Sequence, residues 1–539
     1  MKTRPMRSLL TLLIPLALLG CALTPPPGAV APLTATQWQA PLPATPPLPG
    51  LPHGGTLAQL SLWWQQFNDP LLTELIDAGQ AASATVAAAQ SRIAQARLSQ
   101  TSTTAALLPT LNAAASATRG RTLPTGAIPT TISAGFQTAW EIDVFGRGRS
   151  AASAADQRVS GAQALWHDAR VSVAADVATR YFSLRACRQQ TALAERDAAS
   201  RAETARLTDL TATAGFTAPA TAALARASAS EAAARVTQQR ADCAVQTKAL
   251  TALTALPEAE LQQKITQSES KQSPALESIE YSALLSIANP ITSLPADTLS
   301  QRPDVFDAER EVAAASQDVG TAQAQRYPRL TLSGSVGRQD TRTNSRNRVF
   351  NAWSFGPLNL TLPIFDAGLS RSNIDAAAAA YNQTVVQYRS VVRRAVQEVE
   401  EALVNLDSTA ARQADSSSAA SNYRRSFVAT QARYQSGLAS LVELEDARRS
   451  LLAAETALIT LQKERTTAWV ALYRAAGGGW TPDINASAAV AVNAMRAMNA
   501  INVKNASNAA DAANNTLNSP SAPGASVALT TLPATAAKP

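Results

Sequence analysis

The stretch from Ala367 to Ala476 constrains this chain more than any other. It reads as a very long helix, a tight break at Gln435-Ser436-Gly437, and a second long helix running back. Leu444, Ala447, Leu451, Ala454, Leu458, Leu461, Arg465, Ala468 and Leu472 are spaced alternately three and four apart. That is a heptad seam, apolar except at Arg465, in which Leu often faces Ala. Large-against-small seams let helices approach closely side by side. At ~1.5 Å per residue, the arm from Ala367 to Gln435 would reach roughly 100 Å. An ordinary globular core has no use for a hairpin of that length. Aromatic residues make up only 5% of the chain and alanine is abundant, which suits close-packed helices better than a bulky core.

The same plan is written twice. Leu107-Leu108-Pro109-Thr110-Leu111 recurs as Arg326-Tyr327-Pro328-Arg329-Leu330, an offset of 219 residues. Phe145-Gly146 before one long helix recurs as Phe365-Asp366-Ala367-Gly368 before the other, and Gly215 recurs as Gly437 at an offset of 222. Shifted back by 222, the seam falls on Ala222, Ala225, Ala229, Ala232, Val236, Gln239, Cys243, Gln246 and Leu250. Agreement in order and offset marks an internal repeat. Each copy reads helix, strand, loop, strand, long helix, turn, long helix.

The strands alternate. Ile132, Ala134, Phe136, Thr138, Trp140, Ile142 and Val144 share one face; Ser133, Gly135, Gln137, Ala139, Glu141 and Asp143 share the other. In the second copy Leu330, Leu332 and Val336 oppose Thr331, Ser333 and Ser335. Leu358, Leu360, Leu362 and Ile364 alternate on the returning strand, but Trp353 and Phe355 have the opposite parity, which predicts a bulge or bend at Gly356-Pro357. Period two fits a membrane strand with lipid on one side and water on the other, or a half-buried strand of a soluble sheet. Two copies give four strands. Four cannot close a barrel in lipid, so in a membrane they must close with other copies of the chain. Glu141 and Asp143 would then line the barrel near one mouth.

The N-terminus carries a processing signal. Met1–Arg7 is basic, Ser8–Leu19 is apolar and short for a membrane span, and Leu18-Leu19-Gly20-Cys21 follows at once. This pattern resembles a bacterial lipobox, which implies cleavage before Cys21 and acylation of its thiol and new amine. Ala22 at the next position implies sorting to the outer membrane. No other segment is apolar and long enough for a transmembrane helix. Ala22 to Thr56 is Pro-rich and reads as an extended tether. Trp63-Trp64 and Asp69-Pro70 then open the ordered chain, with one helix expected over Leu71–Ala106.

Cys187 and Cys243 each stand 28 residues from Gly215, on opposite arms of the first hairpin. Antiparallel helices set equidistant residues side by side, so a disulfide is favoured in an oxidising compartment, against two buried free thiols. His53 and His167 are the only histidines, and neither stands at ligand spacing, which argues against a metal site. The formal charge is +7; loss of Lys2, Arg4 and Arg7 leaves 44 basic against 40 acidic residues. Arginines scattered along helices near acids read as a solvated face rather than a nucleic-acid surface. Asp143-Val144-Phe145-Gly146-Arg147-Gly148-Arg149 lacks the third glycine and the Lys-Ser/Thr of a phosphate loop and reads as a strand-to-helix turn. No nucleophile–base pairing or metal cluster argues for an enzyme.

Several segments, taken in order, resemble the TolC-like outer-membrane factor family, and within it the NodT-type efflux lipoproteins. They are Trp63-Trp64 with Asp69-Pro70-Leu71; Trp140-Glu141-Ile142-Asp143-Val144-Phe145-Gly146-Arg147; Arg302-Pro303-Asp304 with Ala308-Glu309; and Tyr327-Pro328 with Leu332 and Gly334. Leu362-Pro363-Ile364-Phe365-Asp366-Ala367-Gly368, Tyr434 with Gly437, and Leu472-Tyr473 with Gly477-Gly478-Gly479-Trp480 complete the set. The resemblance covers residues 21 to about 480. It implies a mainly α fold with a membrane β-barrel: a homotrimer with a twelve-stranded barrel continuous with a periplasmic α-helical tunnel. It implies a passive exit duct of a tripartite efflux pump for small toxic compounds. Its partners would be a periplasmic adaptor and an inner-membrane transporter, often of the resistance-nodulation-division type. A type I protein secretion duct shares the architecture and is the alternative.

The resemblance also implies sites. Family members narrow the tunnel with acidic residues after the second tip turn, and on the spacing from Tyr434 and Gly437 these fall on Glu443 and Asp446. Three apart, they share a helix face, and three chains would gather six carboxylates. The plainer reading is a solvated helix start, with Glu443, Glu445 and Asp446 favouring the local dipole. Ala220-Thr221 stand where the first repeat of the family carries an acidic or polar partner, and Ala439 where an arginine follows the second turn. Gly215 with Phe216 and Gly437 with Leu438 are the expected adaptor contacts. No cofactor is implied beyond the lipid on Cys21. The expected organisation is signal 1–20, tether 21–56, first repeat 57–299, second repeat 300–480, and an equatorial segment with a disordered tail over 481–539. Within the first repeat, strands are expected over about 108–145, a hairpin over about 149–256 and a linker over 257–299. In the second, strands are expected over about 328–365 and a hairpin over about 367–476.

Overall fold

A computed structural model describes residues 23–32, 37–41, 63–65, 67, 69–121, 128–271, 299, 301–343 and 346–480. Cys21, most of the linker before residue 299 and the tail after Trp480 lie outside the described residues.

Two like sets of elements follow one another. The first is α1 (Pro70–Ala82), α2 (Ala84–Ala105), β1 (Thr110–Arg119), β2 (Thr130–Ile142), α3 (Arg147–Thr213) and α4 (Pro219–Thr254). After α5 (Glu258–Lys271) come α6 (Pro303–Ala324), β3 (Arg329–Thr343), β4 (Arg346–Thr361), α7 (Leu369–Gln435) and α8 (Leu441–Ala475). The arms α3 and α7 are 67 residues each, about 100 Å. Each long arm is matched by two shorter helices. α3 packs on α2 toward the strands and on α4 toward the turn; α7 packs on α6 and then on α8. No position of either seam is exposed; each is buried or half-buried.

The strands form one antiparallel sheet in the order β1-β2-β3-β4. Phe136 faces Val336, which faces Trp353; Trp140 faces Leu332, which faces Leu358. The register slips between Leu332 and Gly334, opposite Gly356-Pro357, so the predicted bulge lies there. Phe136, Trp353, Phe355, Leu358 and Leu360 are 54, 78, 83, 59 and 69% exposed. Such a face on a soluble sheet would aggregate; in lipid it is at rest. The other face carries Gln137, Ser335, Ser354, Gly135, Gly337 and Ala352, all small or polar.

Local chemistry fixes the junctions. The Asp143 carboxylate accepts from the Arg149 N–H at 2.8 Å, and Asp366 accepts from the N–H groups of Gly368 and Ser370 at 3.0 and 2.9 Å. These bonds satisfy orphan donors at the starts of α3 and α7. Glu141 is held by the Arg147 guanidinium at 2.9–3.1 Å. The two acids expected to line a mouth are therefore engaged by their own chain.

Midway along, Trp63 stacks on Tyr473 at 3.9 Å, with Trp64 and Phe67 against them. Buried Asp69 caps α1 and accepts from Tyr181 Oη at 2.6 Å and Arg185 at 2.9 Å. Buried Arg302 donates to the Ala475 carbonyl at 2.8 Å and to Glu398 at 2.8 Å, tying α6 to the end of α8 and to α7. These contacts explain the clustering of Trp, Asp and Arg in the quoted motifs.

One expectation needs correction, and two segments carry more structure than the sequence specifies. The helix expected over Leu71–Ala106 breaks at Ser83, whose backbone is extended and whose hydroxyl caps α2 through the Val86 N–H. The Gln/Glu-rich start of the linker is helical, because Leu261 and Ile265 bury against the core. The described parts of the tether are fastened along the helices. Thr24 exchanges two hydrogen bonds with Gln323, the Pro26 carbonyl accepts from Ser316, and the Pro27 carbonyl accepts from Tyr381. The N–H groups of Gln39 and Ala40 donate to Glu400, both at 2.7 Å.

Candidate functional site at the hairpin tips

The two turns farthest from the sheet are built alike. The Phe216 N–H donates to the Thr211 carbonyl at 2.9 Å, and the Leu438 N–H to the Arg433 carbonyl at 2.7 Å. Each bond spans six residues across a glycine in the left-handed region, Gly215 at φ 78° and Gly437 at φ 76°. This is the Schellman arrangement, and glycine adopts that φ without the Cβ penalty. Reversal this tight presents the next side chain outward: Phe216 is 85% and Leu438 70% exposed. The expected adaptor contacts thus stand at the extremity of each hairpin.

After the second turn, Ser440 caps α8 by accepting from the Glu443 N–H at 3.2 Å. Glu443 and Asp446 point to solvent, with side chains 55 and 62% exposed. Arg433 stands 3.9 Å from Glu443, and Arg449 3.2 Å from Asp446. Exposed pairs of this kind contribute little to stability, so both carboxylates are available to a neighbour. Tyr434 is set back from them. Its hydroxyl lies 3.3 Å from that of Thr208, and its ring packs beside Leu441 and Leu444. The three expected gate residues therefore divide into two exposed acids and one hairpin-to-hairpin contact.

Sequence reasoning missed what lies immediately behind them. Glu445 is buried rather than solvated. Its carboxylate accepts from Arg201 at 2.5 Å, Ser228 at 2.7 Å and Arg448 at 2.6 Å. Arg201 also donates to Asp197 at 2.9 Å, and Arg448 to Ser200 and Thr204 at 3.0 and 3.2 Å. The four charged side chains are only 4–8% exposed. Burial pulls the Arg448 pKa below its ordinary value, opposed by Glu445. The cluster balances two acids against two guanidiniums and joins α3, α4 and α8. The available signal was the spacing, Asp197 to Arg201 and Glu445 to Arg448, in a stretch whose neighbours are small.

Farther up the first hairpin, the Sγ atoms of Cys187 and Cys243 lie at 1.98 Å with Cα atoms 5.6 Å apart, so α3 and α4 are stapled there. His167, on α3 beside Trp166, is buried, and that burial with nearby Arg170 lowers its pKa to about 4. It has no metal-binding neighbourhood among the described residues.

An open four-stranded sheet with an apolar outer face, continuous with two equal helical hairpins, defines an outer-membrane channel. Three copies close its twelve-stranded barrel and its α-helical tunnel. The profile of the outer membrane efflux protein family matches residues 75–256 and 294–478. The chain is similar to the solvent efflux pump outer membrane protein SrpC of Pseudomonas putida, 29% identical over 480 residues, spanning 86% of this chain and 97% of that one. It is 28% identical over 450 residues to nodulation protein T of Rhizobium leguminosarum bv. viciae, spanning 81% and 89%. Among solved structures, the outer-membrane channel OprN aligns with a TM-score of 0.71 at 27% identity, over 84% of this chain and 99% of that one. The chain belongs to the outer membrane efflux protein family and is an outer-membrane exit duct of an efflux pump.

Proposed function

We propose that the duct is passive and is gated at its periplasmic end by Glu443 and Asp446 from three chains. The observation that carries this reading is the contrast on one turn of α8. Glu445 is consumed within its own chain, whereas Glu443 and Asp446 stand exposed within nine residues of Gly437. Six carboxylates around a narrow axis repel one another, hold cations and resist a wide opening unless something neutralises or separates them. Phe216 and Leu438 supply apolar contacts for a periplasmic adaptor, which links the duct to an inner-membrane transporter of the resistance-nodulation-division type. Small toxic compounds are the cargo, in keeping with the solvent pump among the relatives. Cys21 carries the lipid that holds the N-terminus at the membrane. Its site is supported by Leu23, which packs near Gly146 at the base of the sheet.

In planar bilayers, the double substitution Glu443→Ala with Asp446→Ala should raise single-channel conductance and weaken cation preference. Unchanged conductance and selectivity would remove the acidic ring from the gate. A deletion strain should become sensitive to small toxic compounds and recover with the wild-type gene. Intact resistance together with loss of an exported protein would favour the secretion alternative.

A further inference from the structure

The outward face of the sheet changes character along its length. Its lower rows are Ile142, Leu330 and Leu360, then Trp140, Leu332 and Leu358, then Thr138, Gly334 and Phe355, then Phe136, Val336 and Trp353. The next row on the same face places Arg338 between Ala134 and Asn351. Two rows farther on, Arg119 and Arg342 flank Thr130, with Asn347 beyond. The parity is that of the lipid-facing side, so these guanidiniums point away from the lumen.

Their height follows from the register. From the Leu330 row to Arg338 is eight residues, about 27 Å along a strand. A tilt of about 40° reduces that to about 20 Å of height, near the upper edge of an apolar band about 25 Å tall. Arg119 and Arg342 lie about 10 Å higher. This is the end away from the helices, where the headgroups of the outer leaflet lie. Asp340, the only acid in these rows, is engaged by Arg342 at 2.7 and 2.9 Å. Among the described residues, no carboxylate pairs with Arg119 or Arg338, and both are exposed. The face therefore carries a net surplus of arginine directly above its aromatic rows, and the neighbouring Thr130, Ala134, Asn347 and Asn351 leave the guanidiniums room.

We propose that Arg119, Arg338 and Arg342 form a docking surface for the phosphate groups of lipid A in the outer leaflet. A planar guanidinium matches a phosphate bidentately, and basic residues beside a membrane surface recruit anionic headgroups. The aromatic rows beneath would take the acyl chains while the arginines hold the headgroup. This inference needs only the orientation of the barrel and is independent of the gate and of the cargo.

Native mass spectrometry of delipidated trimers, titrated with bisphosphorylated lipid A, tests the proposal. Dephosphorylated lipid A, phosphatidylglycerol and inorganic phosphate are the comparison ligands. Wild-type trimers should bind bisphosphorylated lipid A about tenfold to a hundredfold more tightly than the dephosphorylated form. The triple substitution Arg119→Gln, Arg338→Gln, Arg342→Gln should erase that preference while remaining trimeric. The triple Lys variant should keep most of it. Equal binding of both lipid A forms, or an unchanged preference in the Gln variant, would overturn the proposal. So would phosphatidylglycerol binding as tightly as lipid A, or millimolar inorganic phosphate displacing the lipid completely. None of these readouts involves transport, so failure here leaves the duct function standing.

Discussion

Replacing Glu445 with alanine should loosen the periplasmic tip more than any change to the exposed acids. The wild-type carboxylate accepts three hydrogen bonds from Arg201, Ser228 and Arg448. After its loss Arg201 keeps Asp197, but Arg448 loses the only ion pair it makes among the described residues. Removing one partner of a buried pair costs about 3–5 kcal/mol, mainly because the other charge stays buried. Arg448 retains Ser200 and Thr204, so the lower end, about 3 kcal/mol, is expected. That corresponds to a little over a hundredfold in the local opening equilibrium. Hydrogen–deuterium exchange of the solubilised trimer reads it directly. Peptides over 197–208 and 441–450 should exchange about a hundredfold faster, while those around Cys187 keep their protection. Glu445→Leu combined with Arg448→Met removes both charges and should recover most of the loss. Unchanged exchange in the alanine variant would refute a structural role for the buried charge cluster. A double variant as open as the single would refute the unpaired-charge explanation.

Other consequences are simpler to check. Cys21→Ser should abolish labelling by a palmitate analogue, and persistent labelling would rule out Cys21 as the lipidated residue. Intact mass after alkylation without reductant should leave Cys187 and Cys243 unmodified; two added groups would show free thiols. Asp168 on α3 is pushed up to about 6, first by burial and then by nearby Asp304. The folded state therefore favours its neutral form. That stabilisation is complete below the ordinary value near 3.8 and is lost as pH rises through about 6. Asp168→Asn should accordingly stabilise the protein by roughly 2–3 kcal/mol at pH 7.5 and by almost nothing near pH 4. A melting difference that does not change with pH would contradict this.

The legible parts of the fold were those governed by a period. The seam followed from spacings of three and four, the strands from alternation, and the bulge at Gly356-Pro357 from a parity change. Counting from Gly215 aligned Cys187 with Cys243 because an antiparallel hairpin equates distance from the turn with height. What escaped had no period of its own. Ser83 looks like any polar residue on an alanine-rich helix, and only its hydroxyl bond to the Val86 N–H makes it a cap. α5 was hidden because two apolar residues, Leu261 and Ile265, hold it to the core. The buried charge cluster was hidden because periodicity assigns charges to solvent. Arg201 and Glu445 lie far apart in sequence, and each appears satisfied locally, by Asp197 and Arg448.

The unfinished edges of one chain specify how many chains are needed. β1 runs away from the helices and β4 runs back toward them, and each has a partner on one side only. Because the strand number is even, β4 of one copy meets β1 of the next antiparallel, so the sheet continues without a change of pattern. Two copies would close eight strands, an interior that side chains alone can fill. Three give twelve and leave room for water, which the small residues of the inner face require: Gly135, Gly337 and Ala352 could not plug a narrow barrel. The helices fit the same count. At every level the chain offers four side by side, α2, α3, α6 and α7 near the sheet and α4, α3, α8 and α7 near the tips. A third copy is thus what turns an open sheet and a half-buried seam into a barrel with a lumen and a tunnel with a wall.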